Sequence, residues 1–260
     1  AYQTVQNRPR YLTRESIFAK EKKTKTLFFG YSEIGCQALE KLIEKGVSII
    51  AVFTHENDPN ENKWFRSVEK IARQNNLPVF KPTSLKDPQW TSRVHELDPD
   101  LILSFYYRNL IPQSILNLAP LGSYNMHGSY LPKYRGKAPV NWAVLNGETK
   151  TGATLHLMVK EPDAGDIVDQ ELVSIDDADT VFDVMKKVQE VAMIILERQL
   201  DHLLSGTAPL HPQDPTEATY FGGRKPEDGK IDWNRPAKEI HNLVRAVTQP
   251  YPGAFCDIES

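Results

Sequence analysis

Five short apolar runs alternate with segments of helical periodicity between Lys25 and His127, and nothing else in the sequence restricts the fold as strongly. The runs are "TLFFG" (Thr26 to Gly30), "VSIIAVFTH", "LPVFKP", "DLILSFYY" and "GSYNMH". Unbroken apolar stretches of this length suit strands covered on both faces. Between the first two, "SEIGCQALEKLIEKG" sets Ile34, Ala38, Leu39, Leu42 and Ile43 at helical spacing. Ser32 is placed to cap that helix and Gly46 to end it. "FRSVEKIARQNN", "DPQWTSRVHELDP" with Pro88 near its N-terminus, and "PQSILNLA" read as the next helices. The fold class that follows is α/β: a Rossmann-like, mostly parallel sheet with helices on both faces. Right-handed crossovers then line up the strand C-termini along one edge, where such sheets bind ligands. The first strand is followed by "GYSEIG" rather than G-x-G-x-x-G, so a dinucleotide site loses its main support.

The second half changes character. "GATLHLMV" and "DIVDQELVSI", joined by "KEPDAG", predict a hairpin-like strand pair. A long helix follows from Thr180 to about Leu204, with Val181, Val184, Met185, Val188, Val191, Ala192 and Ile195 as its buried stripe. Thr180 and Asp183 form a capping-box pattern. A Pro- and Gly-rich stretch then reads as a linker, "PAKEIHNLVRAV" as a short helix, and "PYPGAFCDIES" as the start of one more strand. The expected division is a flexible N-terminal extension over 1–24, a catalytic domain over 25–205, and a linker, helix and truncated small C-terminal β-subdomain over 206–260.

Composition removes several function classes. A net charge of −3 on 260 residues gives no electrostatic sign of a nucleic-acid binder. Two distant cysteines, Cys36 and Cys256, make neither a disulfide framework nor a zinc pattern, and a reducing, cytoplasmic setting is expected. No run approaches the roughly 18 apolar residues of a membrane span. The seven histidines are scattered, with no H-E-x-x-H, and no metal is expected. His156, inside the "TLHLM" strand, reads as structural.

Chemistry concentrates in "SYNMHGSYLPKYRGKAPVN", Ser123 to Asn141. Residues two apart on a strand share a face, so Asn125 and His127 project together at a strand end on the binding edge. A carboxamide donor beside an imidazole suits acyl transfer, with one group for an oxyanion and one for a proton. The same spacing also fits an Asn that closes a strand and a His that opens a turn. A carboxylate from "KEPDAGD" is the third candidate; beside His127 it favours the imidazolium and raises its pKa. Asp163 and Asp166 fit that role equally well on spacing. Lys133, Arg135 and Lys137 put three cations in the loop after His127, suited to an anionic ligand or to a solvated turn. Tyr106, Tyr107 and Arg108 end the preceding strand, where they could line a flat-ring pocket or pack at the strand's edge.

"NMHGSYLPKYRGKAPVNWAVLNGETKTGATLHLM" followed by "DAGDIV" resembles the folate-dependent formyltransferases. That family includes the enzymes acting on methionyl-tRNA, on glycinamide ribonucleotide and on amino sugars. "FTHENDP", "LPVFKP", "SFYYRNLI", "APVNW", "YFGGRKPEDG" and "VRAVTQPYPGAF" carry the likeness further. They resemble the formyltransferase domain of bifunctional polymyxin-resistance enzymes. The resemblance implies the formyltransferase fold, with Asn125, His127 and Asp163 as catalytic residues, and so selects Asp163 over Asp166. It implies 10-formyltetrahydrofolate as co-substrate, contacted by Asn109, Leu110 and Ile111 and by Val159, Lys160, Glu161 and Pro162. Lys137 joins that set, although the pattern carries Arg at its position. The implied acceptor is UDP-4-amino-4-deoxy-L-arabinose, for lipid A modification. The implied partners are these small molecules, with no nucleic acid and no membrane span; a homo-oligomer is compatible. The rivals are a methionyl-tRNA or other sugar formyltransferase, and a catalytically silent folate or nucleotide binder.

Overall fold

In the computed structural model the chain is described over residues 23–56 and 64–257. The expected extension over 1–24, apart from its last two residues, lies outside that range, as does most of the Asn- and Asp-rich loop between His55 and Lys63. Nine strands and seven α-helices follow in chain order among the described residues. They are β1 (Thr26–Gly30), α1 (Ser32–Glu44), β2 (Ile49–Phe53), α2 (Val68–Gln74), β3 (Val79–Phe80), α3 (Pro88–Leu97), β4 (Leu101–Phe105) and α4 (Gln113–Leu116). Next come β5 (Ser123–His127), β6 (Arg135–Gly136), α5 (Pro139–Leu145), β7 (Lys150–Leu157), β8 (Ile167–Ser174), α6 (Val181–Ser205), β9 (Tyr220–Phe221) and α7 (Ala237–Val247).

Seven strands form one sheet in the order β3-β2-β1-β4-β5-β7-β8. β3, β2, β1, β4 and β5 pair in parallel, while β7 runs antiparallel to β5 and β8 antiparallel to β7. The order reverses between β1 and β4, so the strand C-termini open a crevice on one edge. β6 and β9 make a separate two-stranded parallel ribbon.

The unbroken apolar runs are explained by cover on both faces. β1 and β4 are buried along their whole length. On one face Phe28, Leu103, Tyr124 and Met126 meet α1, α5 and α6; on the other Leu27, Phe29, Phe53 and Ile102 meet Val94 of α3 and Ile115 of α4. α6 buries Val181, Val184, Met185, Val188, Ala192 and Ile195, and the Thr180–Asp183 capping box is formed.

One helix start differs from expectation. The N-cap of α1 is Tyr31, without a side-chain bond, and Ser32 is already its first residue, at φ 58°. The Tyr31 ring packs edge-on against His55 and Phe65, each 5.3 Å between centroids, so ring packing rather than a hydroxyl fixes where this helix starts. No helix among the described residues is long and apolar enough to cross a membrane.

The segment read as a linker is held along its length. His211 bridges Ile167 at the start of β8, β9 pairs with β6, and Trp142 of α5 donates its indole N–H to the Gly222 carbonyl at 2.9 Å. Asn141 of α5 donates to the Ala246 carbonyl of α7. Residues 206–247 therefore return to the loop that follows β5.

Candidate active site

The parallel register of β4 and β5 sets Ser104 beside Asn125, and the antiparallel register of β5 and β7 sets His156 opposite Asn125 and Thr154 opposite His127. Asn125, His127, Thr154 and His156 therefore share one face of the sheet at its C-terminal edge. The turn between β7 and β8 brings Asp163 over that face. Asp163 is at φ 57°, and Gly165 lets the turn close: a Cβ there would stand 1.9 Å from the Leu157 carbonyl oxygen.

The three groups come together. Asp163 Oδ1 lies 3.5 Å from His127 Nδ1 and 3.6 Å from His156 Nε2, and Asp163 Oδ2 accepts the Gly136 N–H at 2.9 Å. His127, only 6% exposed, donates from Nε2 to the Tyr134 carbonyl at 2.8 Å. Only an N–H can meet a carbonyl, so the neutral ring keeps its proton on Nε2 and presents the Nδ1 lone pair. Tyr134 itself sits at φ 60°, which turns its carbonyl toward the histidine. Its ring stacks on Phe221 and its hydroxyl donates to Glu148 at 2.6 Å, so packing on β9 holds that backbone.

Burial pushes the His127 pKa down; the Asp163 carboxylate and the Tyr134 carbonyl oppose it, and burial wins. The expected rise does not occur, because a ring removed from water loses more than one carboxylate at 3.5 Å returns. Burial also pushes Asp163 up, but in the acid range where its carboxyl would take a proton the protonated rings of His127 and His156, with the Gly136 N–H, outweigh it and hold the carboxyl well below its ordinary range. At neutral pH the site is a neutral imidazole beside a fixed anion. Such a ring takes a proton at Nδ1 and has its countercharge in place when it does.

Of the three loop cations, Arg135 is turned inward. It is 5% exposed, donates from Nε and Nη2 to Gln213 Oε1 at 3.1 and 2.6 Å, and donates from Nη1 to the Tyr220 hydroxyl at 2.7 Å. Lys133 and Lys137 stay exposed. Lys137 stands at the end of the β6–β9 ribbon, with its backbone N–H on the Phe221 carbonyl. Gly136 admits that ribbon: it is at φ 99°, and a Cβ would meet the Phe221 oxygen at 2.2 Å.

The residues expected to contact a folate, Lys137 apart, lie on the segments that follow β4 and β7. Leu110 is 71% exposed and Val159 38%, two large apolar side chains left open beside the site. Ile111 and Met158 pack against the same core cluster, which ties the two rim segments together. Asn109 donates to the Thr83 carbonyl at 3.1 Å. Lys160, Glu161 and Pro162 are exposed, and Glu161 accepts the Tyr220 hydroxyl at 2.9 Å. Tyr107 stacks on His55 at 4.2 Å, and the Arg108 guanidinium lies 4.4 Å over the Tyr31 ring. These groups pack on their own neighbours rather than lining an open flat-ring pocket. Among the described residues, no group of three or more His, Cys, Asp or Glu is arranged to hold a metal ion.

Two further side chains touch these groups without any signal in the sequence. His156, expected to be structural, faces Asn125 through the β5–β7 register. Gln213 lay in the expected linker. Its amide nitrogen Nε2 donates to the carbonyls of Asp163 and Gly165 at 2.8 and 2.7 Å while its oxygen accepts from Arg135. One side chain thus ties the Asp163 turn to the loop after β5. No local signal announces either residue.

The sequence matches the family described as formyl transferase over residues 23–200, and the formyl transferase C-terminal domain over residues 224–260. Solved structures share the fold. WlaRD, a sugar 3N-formyl transferase solved in the presence of dTDP and 5-N-formyl-THF, is 24% identical at TM-score 0.72, over 87% of this chain and 80% of its own. An N-formyltransferase from Helicobacter canadensis, complexed with folinic acid and dTDP-3-aminofucose, is also 24% identical at TM-score 0.72, over 86% and 80%. A 4-N formyltransferase from Francisella tularensis is 22% identical at TM-score 0.70, over 89% and 92%.

Proposed function

The chain belongs to the formyl transferase family, and from that premise we propose that it moves the formyl group of 10-formyltetrahydrofolate onto the amine of a nucleotide-linked amino sugar. The observation that carries the reading is that Asp163, on the turn between β7 and β8, lies 3.5 Å from His127 Nδ1, while Asn125 shares the face of β5 from which His127 projects. The folate and sugar-nucleotide ligands of the similar structures support the choice of substrates. The likeness of "YFGGRKPEDG" and "VRAVTQPYPGAF" to bifunctional polymyxin-resistance enzymes favours UDP-4-amino-4-deoxy-L-arabinose as acceptor, and lipid A modification as the use of its product.

The neutral acceptor amine attacks the formyl carbon, forming the new C–N bond and a tetrahedral oxyanion. Asn125 donates an N–H to that oxygen, a contribution of about 3–4 kcal/mol for one well-placed donor. His127 Nδ1 takes the proton the amine loses and returns it to the folate nitrogen as the old C–N bond breaks. Asp163 stabilises the imidazolium between those steps. The exposed apolar rim at Leu110 and Val159 suits the flat donor, and Lys137 the anionic part of either substrate.

The test is incubation with 10-formyltetrahydrofolate and each acceptor, read by mass spectrometry. The N-formyl amino sugar nucleotide is the expected product. Formylation of methionyl-tRNA alone, or ligand binding with no product from any acceptor, refutes the proposal.

A further inference from the structure

The ring of His156 carries no role in the mechanism above, yet it is 1% exposed and touches two of the three catalytic groups. Its Nδ1 meets the Leu157 carbonyl at 2.9 Å, its Nε2 lies 3.3 Å from Asn125 Nδ2, and the same Nε2 lies 3.6 Å from Asp163 Oδ1. A carbonyl can only accept, so Nδ1 bears the hydrogen. The neutral ring then has a bare lone pair at Nε2. Of its two polar neighbours, only the Asn125 amide has hydrogens to offer, and it is the nearer.

We propose that His156 is a positioning residue that fixes which way round the Asn125 carboxamide stands. A primary amide has two nearly isosteric ends, NH2 and C=O, and nothing in its shape chooses between them. With one N–H given to His156 Nε2, Nδ2 is pinned on the β7 side and its second N–H remains for the formyl oxygen. The flipped amide would set its own oxygen against the Nε2 lone pair. It would also aim a carbonyl, instead of a donor, at the developing oxyanion. The backbone does the primary work: the Leu157 carbonyl selects the tautomer of His156, the tautomer selects the orientation of Asn125, and that orientation supplies the oxyanion donor. The inference rests on the proposed role of Asn125, and it makes the histidine at this register a specific requirement rather than core filling.

Two measurements test it. Long-range 1H–15N NMR of the histidine rings of the wild-type protein near neutral pH should show His156 protonated at Nδ1 and bare at Nε2. A proton on Nε2, directed at Asp163, overturns the proposal whether or not the enzyme is active on a given acceptor. Kinetically, His156→Leu should lower kcat about 10-fold or more, a share of the loss expected for an oxyanion donor, with KM for both substrates unchanged within about 2-fold. His156→Gln, which returns an acceptor oxygen, should recover most of the loss. In an Asn125→Ala background, His156→Leu should cost less than about 2-fold further, because residues acting as one unit are not additive. Equal losses in both backgrounds, or a KM change as large as the kcat change, would assign His156 a purely structural role. A wild-type protein that transfers no formyl group refutes the proposed function instead, and the NMR result still decides the tautomer.

Discussion

Replacing Gln213 by Leu should loosen the Asp163 turn from a site that lies in a stretch expected to be a linker. The side chain donates at 2.8 and 2.7 Å to the carbonyls of Asp163 and Gly165 and accepts from Arg135 at 2.6 and 3.1 Å. Leucine leaves two carbonyls without a donor, at about 1 kcal/mol each. It also leaves a buried guanidinium without its main acceptor, at about 1.5–3 kcal/mol. The Asp163 backbone is half-buried and regains some water, so a net loss of about 3 kcal/mol is the working figure. At roughly 2–4 °C per kcal/mol for a domain of this size, Tm should fall by about 6–12 °C. Thermal unfolding followed by circular dichroism reads the shift, and formylation at a temperature where the variant is folded reads the effect on Asp163. Gln213→Glu separates the two halves of the contact. It keeps an acceptor for Arg135 but sets lone pairs against both carbonyls, so it should remain less stable than wild type. A Tm change below about 2 °C for the Leu variant would show that the clamp carries no load and that the Asp163 turn holds itself.

His127→Ala should abolish formyl transfer while leaving the fold intact, as judged by circular dichroism; near-normal turnover would rule out His127 as the proton carrier. The depressed Asp163 pKa makes a signed prediction about stability. A carboxyl whose folded pKa lies below its unfolded value of about 3.9 adds stability above that value, and the contribution drains away as pH falls through it toward the folded pKa. Asp163→Asn should therefore flatten the acid limb of a Tm-against-pH curve below about pH 5, and an unchanged limb would contradict the assigned charge pair. Gly165→Ala places a methyl carbon 1.9 Å from the Leu157 oxygen, so the β7–β8 turn must open. Transfer should drop by about 100-fold, the loss expected when a reacting group is displaced by about 1 Å, and full activity would mean that the turn does not set the Asp163 position.

Much of this molecule is local information. The apolar runs and helical stripes mark out β1 to β5 and α6 because burial on two faces, or on one stripe, writes its period directly into the sequence. The period of two likewise puts Asn125 and His127 on one face without reference to anything else. The choice of Asp163 over Asp166 came from family resemblance and not from spacing. Register and return paths are a different kind of information. That His156 stands opposite Asn125 depends on how β7 slides along β5, and a shift of one residue would turn it to the other face. That Arg135 faces inward depends on Gln213 and Tyr220 arriving from the far side of α6. That Tyr31 rather than Ser32 is the N-cap of α1 goes with its packing on rings contributed by His55 and Phe65. The direction of the His127 shift was also beyond the sequence, since it is decided by how completely the ring is removed from water. The main strands and helices of the sheet, and the candidate donors on β5, are written in the periodicity of neighbouring residues. Which groups come within hydrogen-bonding distance is settled by the folded chain alone, because distances and burial are set by segments that meet from far apart in sequence.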